Sequence, residues 1–276
     1  MVLLMVCVYR PPLLATGQLQ VKVLDVGQGL SVLLQTRSHH MLFDTGRGNA
    51  NSVVLPALQS LGLHEADALV LSHADADHDG AAASLLRQFR FRQIWAGQGE
   101  AYPHSATQDC RNEAWQWDGV WFEWLTLPRS AVAPTTNAQS CVLRVVTQGQ
   151  ALLIPADTGK EEEAALLQQY GEQLHSTVLL LGHHGSSGSN SSAWLNAVAP
   201  KLAIASSGFR NSYHHPTTAV QTRLRAHGIK LYRTDVQGSV AVLLDGDIQV
   251  LPSAGSRFWW QRKPLVALDK VGFTAK

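Results

Sequence analysis

A mixed α/β fold is predicted for this chain of 276 residues, on three observations. Strand pairs are written at the two ends, strand–helix units fill the interior, and each dense polar cluster follows the C-terminal end of an apolar run. With 45% hydrophobic residues the chain can bury a substantial core. A formal net charge of +1 excludes a strong overall field, so a polyanion would have to be met by a local patch or by metal ions.

Met1 to Val8, MVLLMVCV, is apolar but only about half a membrane span, and no basic segment precedes it. It reads either as the trailing end of a transmembrane helix or as an opening strand, and Arg10-Pro11-Pro12 stops it. Residues 1–18 are therefore set apart as an apolar stub, 19–251 as the folded domain, and 252–276 as a basic and aromatic tail. Leu19 to Asp25 and Leu30 to Thr36 alternate across the turn Gly27-Gln28-Gly29, a hairpin signal. Met41 to Phe43 is a third strand, ending at Asp44-Thr45-Gly46. Asn51-Ser52 could cap a helix running to Leu61, closed by Gly62. Ala68 to Leu71 is a short continuous apolar run, as in a strand buried on both faces, and Ala81 to Phe89 is helical.

Gly97 to Asp118 is irregular, rich in tryptophan, and expected to cover a sheet edge. Val120 to Leu127, Cys141 to Thr147 and Ala151 to Ile154 read as strands, the last leading into Pro155-Ala156-Asp157-Thr158-Gly159. Lys160 to Tyr170 is a helix, and Thr177 to Leu181 a buried strand ending at Gly182-His183-His184-Gly185-Ser186. A helix at Ala193 to Val198, a strand at Leu202 to Ser206 and a helix at Thr217 to His227 follow. Ser239 to Leu244 with Ile248 to Leu251 closes the domain as a hairpin.

Asp44, the segment His73 to His78, Asp157 and His183-His184 each follow an apolar strand. In open α/β sheets that edge binds ligands, so four segments could converge on one site. Twelve histidines, three pairs among them adjacent in sequence, favour metal. The three cysteines lie far apart, which excludes a C-x-x-C motif. Cys110 and Cys141 could pair in an oxidising compartment, and the sequence does not decide whether they do.

The stretch SHADADHDG, Ser72 to Gly80, has three readings. It could be a solvated turn, although the buried strand that feeds it and its two histidines speak against that. Asp75, Asp77, Asp79 and Gly80 match the opening of a calcium-binding EF-hand, but the twelfth position, normally a bidentate Glu, is Leu86. The third reading is a binuclear metal site: His73, Asp75 and Asp77 face one side of an extended segment, His78 arrives from a turn, and Asp157 bridges.

His73-x-Asp75-x-Asp77-His78-x-Gly80 resembles the signature of the metallo-β-lactamase superfamily, with Asp75 where most members carry a second histidine. Asp157 resembles the bridging aspartate of that family, and His183 or His184 its later histidine. More narrowly, DVGQG, FDTG, SHADADHDG, Asn137-x-x-Ser140, PADTG, HHGS and Asn211-x-Tyr213-His214-His215-Pro216 are similar, in order, to the β-lactamase-like domain of the ComEC family of DNA-uptake channels. Leu30 departs from the aspartate that usually follows GQG.

The resemblance implies an αββα sandwich of two mixed sheets flanked by helices and two divalent ions. Mn²⁺ is favoured over Zn²⁺ because Asp75 hardens the site. It implies that His73 and Asp75 hold one ion, that Asp77, His78 and His183 hold the other, and that Asp157 bridges. Of the two adjacent histidines His183 is preferred, because neighbours on an extended segment point oppositely. Asp77, His215 and Asn137 are the expected catalytic residues, and Ser140, Ser186, Asn211 and His184 the expected substrate contacts. Asp44, Gly46 and Gly80 are expected to support the site. His215 either donates to a phosphate oxygen or anchors the start of a helix.

The activity implied is DNA phosphodiester hydrolysis, on single-stranded or incoming DNA, degrading the strand that is not imported. The alternatives are a small-molecule hydrolase of the same fold and a non-catalytic DNA-binding module. The implied setting is the extracytoplasmic side of the inner membrane, beside the channel and OB-fold portions of a larger protein. Arg210, Arg223, Arg225, Lys230 and Arg233, or the tail Arg257 to Lys263, could track a phosphate backbone. Equally, the first group could be a solvated helix face and the tail could lie on a membrane surface.

Overall fold

A computed structural model describes residues 13–102, 107–111, 113–129 and 135–251. The apolar opening stretch and the basic tail lie outside the described residues, apart from 13–18. Among the described residues two sheets face each other.

The first sheet takes β1 (Leu19–Val23), β2 (Val32–Gln35), β3 (His40–Phe43), β4 (Glu65–Leu71), β5 (Arg90–Ala96) and β6 (Thr107–Asp109) in sequence order, and adds the closing hairpin β14 (Val240–Leu244) and β15 (Ile248–Leu251) beside β1. The second takes β7 (Ala114–Trp117), β8 (Val120–Trp124), β9 (Leu143–Thr147), β10 (Gln150–Ile154), β11 (Val178–Leu180), β12 (Leu202–Ala205) and β13 (Lys230–Arg233). Both sheets are mixed: β3, β4, β5 and β6 run parallel, as do β10 to β13, while the remaining pairs are antiparallel.

Period-two patterning explains the layering. In β1, Leu19, Val21 and Val23 point inward and meet Leu152, Ile154 and Val178 of the other sheet. The inner parallel strands β10, β11 and β12 and the second half of β4 are buried on both faces, as Ala68 to Leu71 foretold: Ala68 and Val70 join the inter-sheet core, while Leu69 and Leu71 face helices. Those helices are α1 (Val54–Ser60) and α3 (Ala82–Leu86), which insert Leu58 and Leu85. Across the second sheet α4 (Lys160–Tyr170), α5 (Ser192–Val198) and α6 (Thr218–Ala226) insert Leu166, Trp194 and Leu224. The layers are thus helix, sheet, sheet, helix, as expected. Among the described residues no helix is long and apolar enough to cross a membrane.

Four strands were not read from the sequence. The Trp-rich stretch expected to be irregular contributes β6 and β7, one at the edge of each sheet, and Trp115 stacks on Phe122 and Trp95. Arg90–Ala96 is a half-exposed strand in which Arg90 and Arg92 alternate with Phe91 and Ile94. Lys230–Arg233 pairs in parallel with β12. Helix α1 begins after Val53 with no side-chain cap, so Asn51 and Ser52 do not cap it.

Candidate metal centre

The polar clusters meet at one end of the sandwich, beyond the C-terminal ends of β3, β4, β10 and β11. Asn137 to Ser140 reaches the same edge from the start of β9, which runs antiparallel to β10. Asp44, Ala156, His183 and His184 all adopt left-handed backbone, with φ of 58°, 49°, 49° and 56°. Non-glycine residues rarely accept that conformation, and four of them on converging loops mark a site at which the fold sustains strain.

Two local conformations differ from expectation. After the extended Asp75 the chain winds into a helical turn, α2 (Ala76–Asp79), so Asp77 and His78 are presented by that turn. The segment Gly182–Gly185 is a 3₁₀ turn, not an extended strand end. With both residues left-handed, His183 and His184 turn their rings to the same carboxylate instead of to opposite sides. The ring set against Asp77 and His78 is that of His184: its Nε2 lies 3.3 Å from Asp77 Oδ2 and 3.2 Å from His78 Nε2. His183 reaches the other end of the site.

Asp157 lies between the two groups. Its Oδ1 is 3.1 Å from His78 Nε2 and 3.7 Å from His184 Nε2. Its Oδ2 is 3.6 Å from His183 Nε2 and 3.9 Å from His73 Nε2. Asp75 Oδ2 stands 3.6 Å from His73 Nε2. In each of two triads, His73–His78–Asp157 and Asp77–His78–His184, the donor atoms lie within 4.8 Å of one another.

Asp44 governs how the two loop histidines present their nitrogens. Its Oδ1 accepts from the Ser72 backbone N–H at 2.7 Å, and its Oδ2 accepts from the Ser72 hydroxyl and from His78 Nδ1, also at 2.7 Å. Because the Ser72 hydroxyl spends its proton on Asp44, it can only accept from His73 Nδ1, 3.0 Å away. Both rings thus carry their first proton on Nδ1 and turn Nε2 inward. The result is visible in the unpaired atoms: His73 Nε2 and Asp157 Oδ1 are buried with no hydrogen-bond partner. Buried lone pairs facing one another are costly unless a cation lies between them, and these nitrogen and carboxylate donors suit a divalent ion.

Burial alone would drive His78 down, but Asp157 and Asp44 hold it well above the ordinary histidine range. Burial would raise Asp157, and His78 and His184 outweigh it, leaving the carboxyl well below its usual range. Against its own burial, Asp77 is drawn down to about 2 by His184 and His78. His215 is pushed down to about 4 by burial and by the two neighbouring histidines.

Backbone contacts seat the metal loop. Thr45 and Gly46 donate their N–H groups to the His78 carbonyl at 2.7 and 3.1 Å, and Leu30 N–H donates to the Asp77 carbonyl at 3.0 Å. Gly29 is required for that approach, since a Cβ there would collide with the Asp77 carbonyl. At Gly46 a Cβ would strike Val26. The departure at Leu30 is also explained, since its side chain is buried in the inter-sheet core and only its backbone serves the loop.

Other expected residues sit around this cage. Ser140 Oγ is 3.4 Å from His73 Nδ1. Asn137 opens a short 3₁₀ turn and accepts from the Thr136 hydroxyl at 3.1 Å. Ser186 is occupied locally, accepting from Gly188 N–H at 3.2 Å. Asn211 spends its side chain on backbone, donating to the His215 and Gly208 carbonyls and accepting from His215 N–H. The ring of His215 lies 6.0 Å from that of His183 and 6.4 Å from that of His184. Gly80 caps α2.

Two residues went unread. Gln98 accepts from the Ala74 N–H at 2.8 Å, and the Tyr102 hydroxyl donates to Asp79 Oδ2 at 3.0 Å, each steadying the metal loop. Neither lies in a motif. Cys110 and Cys141 form a disulfide, so the chain is stapled one residue from Ser140.

Comparison with known proteins identifies the family. Residues 24–208 match the metallo-β-lactamase superfamily. The chain is 46% identical over 258 residues to competence protein ComA of Neisseria gonorrhoeae, covering 93% of this chain and 37% of that protein. It is 32% identical over 259 residues to recombination protein 2 of Haemophilus influenzae, covering 91% and 32%. The chain therefore spans about a third of the length of these relatives. Among solved structures the fold is similar to that of Igni18, a metallo hydrolase of Ignicoccus hospitalis, with a TM-score of 0.53 at 14% identity over 82% of this chain and 99% of that one. The chain belongs to the metallo-β-lactamase superfamily, as a domain of the ComEC-like kind.

Proposed function

We propose that the chain is the hydrolytic domain of a DNA-uptake protein, a binuclear metal-dependent phosphodiesterase that cleaves DNA. The observation that carries this reading is the division of Asp157: Oδ1 faces His78 and His184 while Oδ2 faces His73 and His183. One ion would be held by Asp77, His78, His184 and Asp157 Oδ1. The other would be held by His73, Asp75 and Asp157 Oδ2, with His183 in the place for which the sequence offers no third-motif histidine. Two divalent ions supply a nucleophile at neutral pH and neutralise the charge that grows on phosphodiester oxygens.

The protein's own groups do the rest. Asp44 and Ser72 keep the Nε2 lone pairs of His78 and His73 free for the ions. The disulfide at Ser140's neighbour fixes the Asn137 to Ser140 turn beside His73. His215, close to both paired histidines and neutral near pH 7, is the group available to donate a hydrogen bond to the phosphate. The similarity to proteins named for competence and recombination supports a role in DNA uptake. A disulfide supports an oxidising compartment and hence the extracytoplasmic side of the membrane. Asp75 supports Mn²⁺, with Zn²⁺ the other cation to test.

The test is metal analysis of the purified protein together with cleavage of labelled single-stranded DNA in Mn²⁺, Mg²⁺ or Zn²⁺. Two equivalents of metal and cleavage that Asp77→Ala abolishes are expected. A protein that binds no divalent ion and cleaves under none of these conditions overturns the reading.

A further inference from the structure

Among the described residues five large hydrophobic side chains are markedly exposed, and three of them lie on one part of the surface: Phe209 and Val236 line one cleft, and Tyr213 stacks on His215, which also lines it; Phe209 is 68% exposed and Tyr213 60%. That cleft, about 320 Å³, is lined by Phe209, Arg210, His214, His215 and Val236 among others. Leaving a large aromatic in water forgoes roughly 1.5–3 kcal/mol of burial, so a cluster of them marks a surface that is covered in use.

The cluster has a direction. Tyr213 stacks on His215 with centroids 5.6 Å apart and planes 27° apart, and His215 lies 6.0 Å from His183 at the metal cage. The guanidinium of Arg210 sits over the Phe209 ring, 5.2 Å from its centroid. Arg210 has no ion pair among the described residues, whereas Arg233 across the cleft is bound to Asp235 at 2.6 Å. Among the described residues, Arg223 donates to the Ser189 and Asn190 carbonyls, and Lys230 covers Tyr232. The loop is held stiffly. Arg210 and His214 are left-handed at φ 53° and 55°, and Asn211 ties the loop through three hydrogen bonds.

We infer that Phe209, Arg210 and Tyr213 form a stacking platform for unpaired nucleobases, seating a single strand beside the cage. The inference rests on the phosphodiesterase reading for its choice of ligand. Aromatic faces with one free guanidinium match the way single strands are bound without regard to sequence, bases on rings and phosphate on cation. A duplex keeps its bases stacked on one another and cannot use the rings.

The experiment is binding of an oligodeoxythymidylate carrying one 2-aminopurine, in EDTA and again in Ca²⁺, to the whole chain. The base's fluorescence should be quenched on binding. Phe209→Ala and Tyr213→Ala should each weaken binding by roughly 5- to 150-fold, the span of about 1–3 kcal/mol per stacked base. Phe209→Trp should restore it, and the corresponding duplex should bind less tightly than the single strand. Unquenched 2-aminopurine, or a Phe209→Ala/Tyr213→Ala double variant that binds like the wild type, overturns the platform. Hydrolysis of bis-p-nitrophenyl phosphate by the wild-type protein with Mn²⁺ needs the cage and no base. Its failure counts against the phosphodiesterase alone and leaves the binding result to be read independently.

Discussion

Replacing Asp44 by asparagine exchanges one carboxylate oxygen for an amide nitrogen at a fully buried position. The remaining oxygen can still accept from the Ser72 N–H, but the new NH₂ points where the carboxylate accepts from His78 Nδ1 and the Ser72 hydroxyl. To avoid opposing N–H groups, His78 must carry its proton on Nε2, and that lone pair is lost to the cage. Loss of such an outer partner costs about 10- to 100-fold in metal affinity. Asp44→Ala acts differently. It strips three buried donors of their acceptor at about 1–3 kcal/mol each. A total of roughly 3–9 kcal/mol lowers the melting temperature by about 6–36 °C for a domain of this size. Calorimetric titration with Mn²⁺ and Zn²⁺, paired with thermal unfolding, separates the two. Asp44→Asn should fold and bind metal poorly, and Asp44→Ala should fail on both counts. If Asp44→Asn takes up two equivalents with wild-type affinity, Asp44 does not set the tautomers and the argument is refuted.

Other expectations follow from single contacts. His184→Ala should remove the ion shared with Asp77 and His78, lowering bound metal from two equivalents to one by elemental analysis. Gly29→Ala, which drives a Cβ into the Asp77 carbonyl, should lower DNA cleavage at least about tenfold, since a displacement of about 1 Å can cost 10²-fold. Cys141→Ser opens a bridge spanning 31 residues and should destabilise the domain by about 4 kcal/mol, measured by denaturant unfolding against the oxidised wild type. Asp118 gives the pH dependence. Despite the opposing effect of burial, its hydrogen bonds from Thr36 and Ser38 hold its carboxyl well below the ordinary range. A depressed carboxyl contributes stability that is present above about pH 4 and is lost as pH falls towards the folded-state value. Wild type should therefore lose stability more steeply than Asp118→Ala on acidification below about pH 4, and parallel curves would contradict this.

The sandwich and its ligand-bearing edge were legible because both rest on local patterns. Apolar runs such as Ala68 to Leu71 and Leu202 to Ser206 mark strands buried on two faces, and the polar residues that follow them land at one sheet edge whatever the tertiary details. The relation of His183 to His184 was not legible. Sequence gives no sign that both residues adopt left-handed backbone, and the alternation rule applied to an extended segment prefers His183, whereas the ring beside Asp77 is that of His184. β5 was not legible although Arg90-Phe91-Arg92 alternates, because the strand is half exposed and lacks the continuous apolar run of its buried neighbours. β6 and β7 were hidden for a different reason: their pairing partners β5 and β8 supply the order that the segment's own composition lacks. Gln98 and Tyr102 act through long-range contacts with the metal loop, and no local pattern announces that.

The division of donors between the two sheets has a mechanical side. Asp77 and His78 hang from the first sheet, whereas Asp157, His183 and His184 hang from the second. A cation held between them is a rivet through both leaves, and its grip depends on how far apart the leaves lie. That spacing is set by Phe122, Leu152 and Val242 and their neighbours in the shared core. Trimming one of those side chains would let the leaves shift, and the first symptom would be a looser ion. Metal removal should in turn unfasten one end of the sandwich, so that amide protons of β3, β4, β10 and β11 near their C-terminal ends exchange faster while those at the opposite end hold.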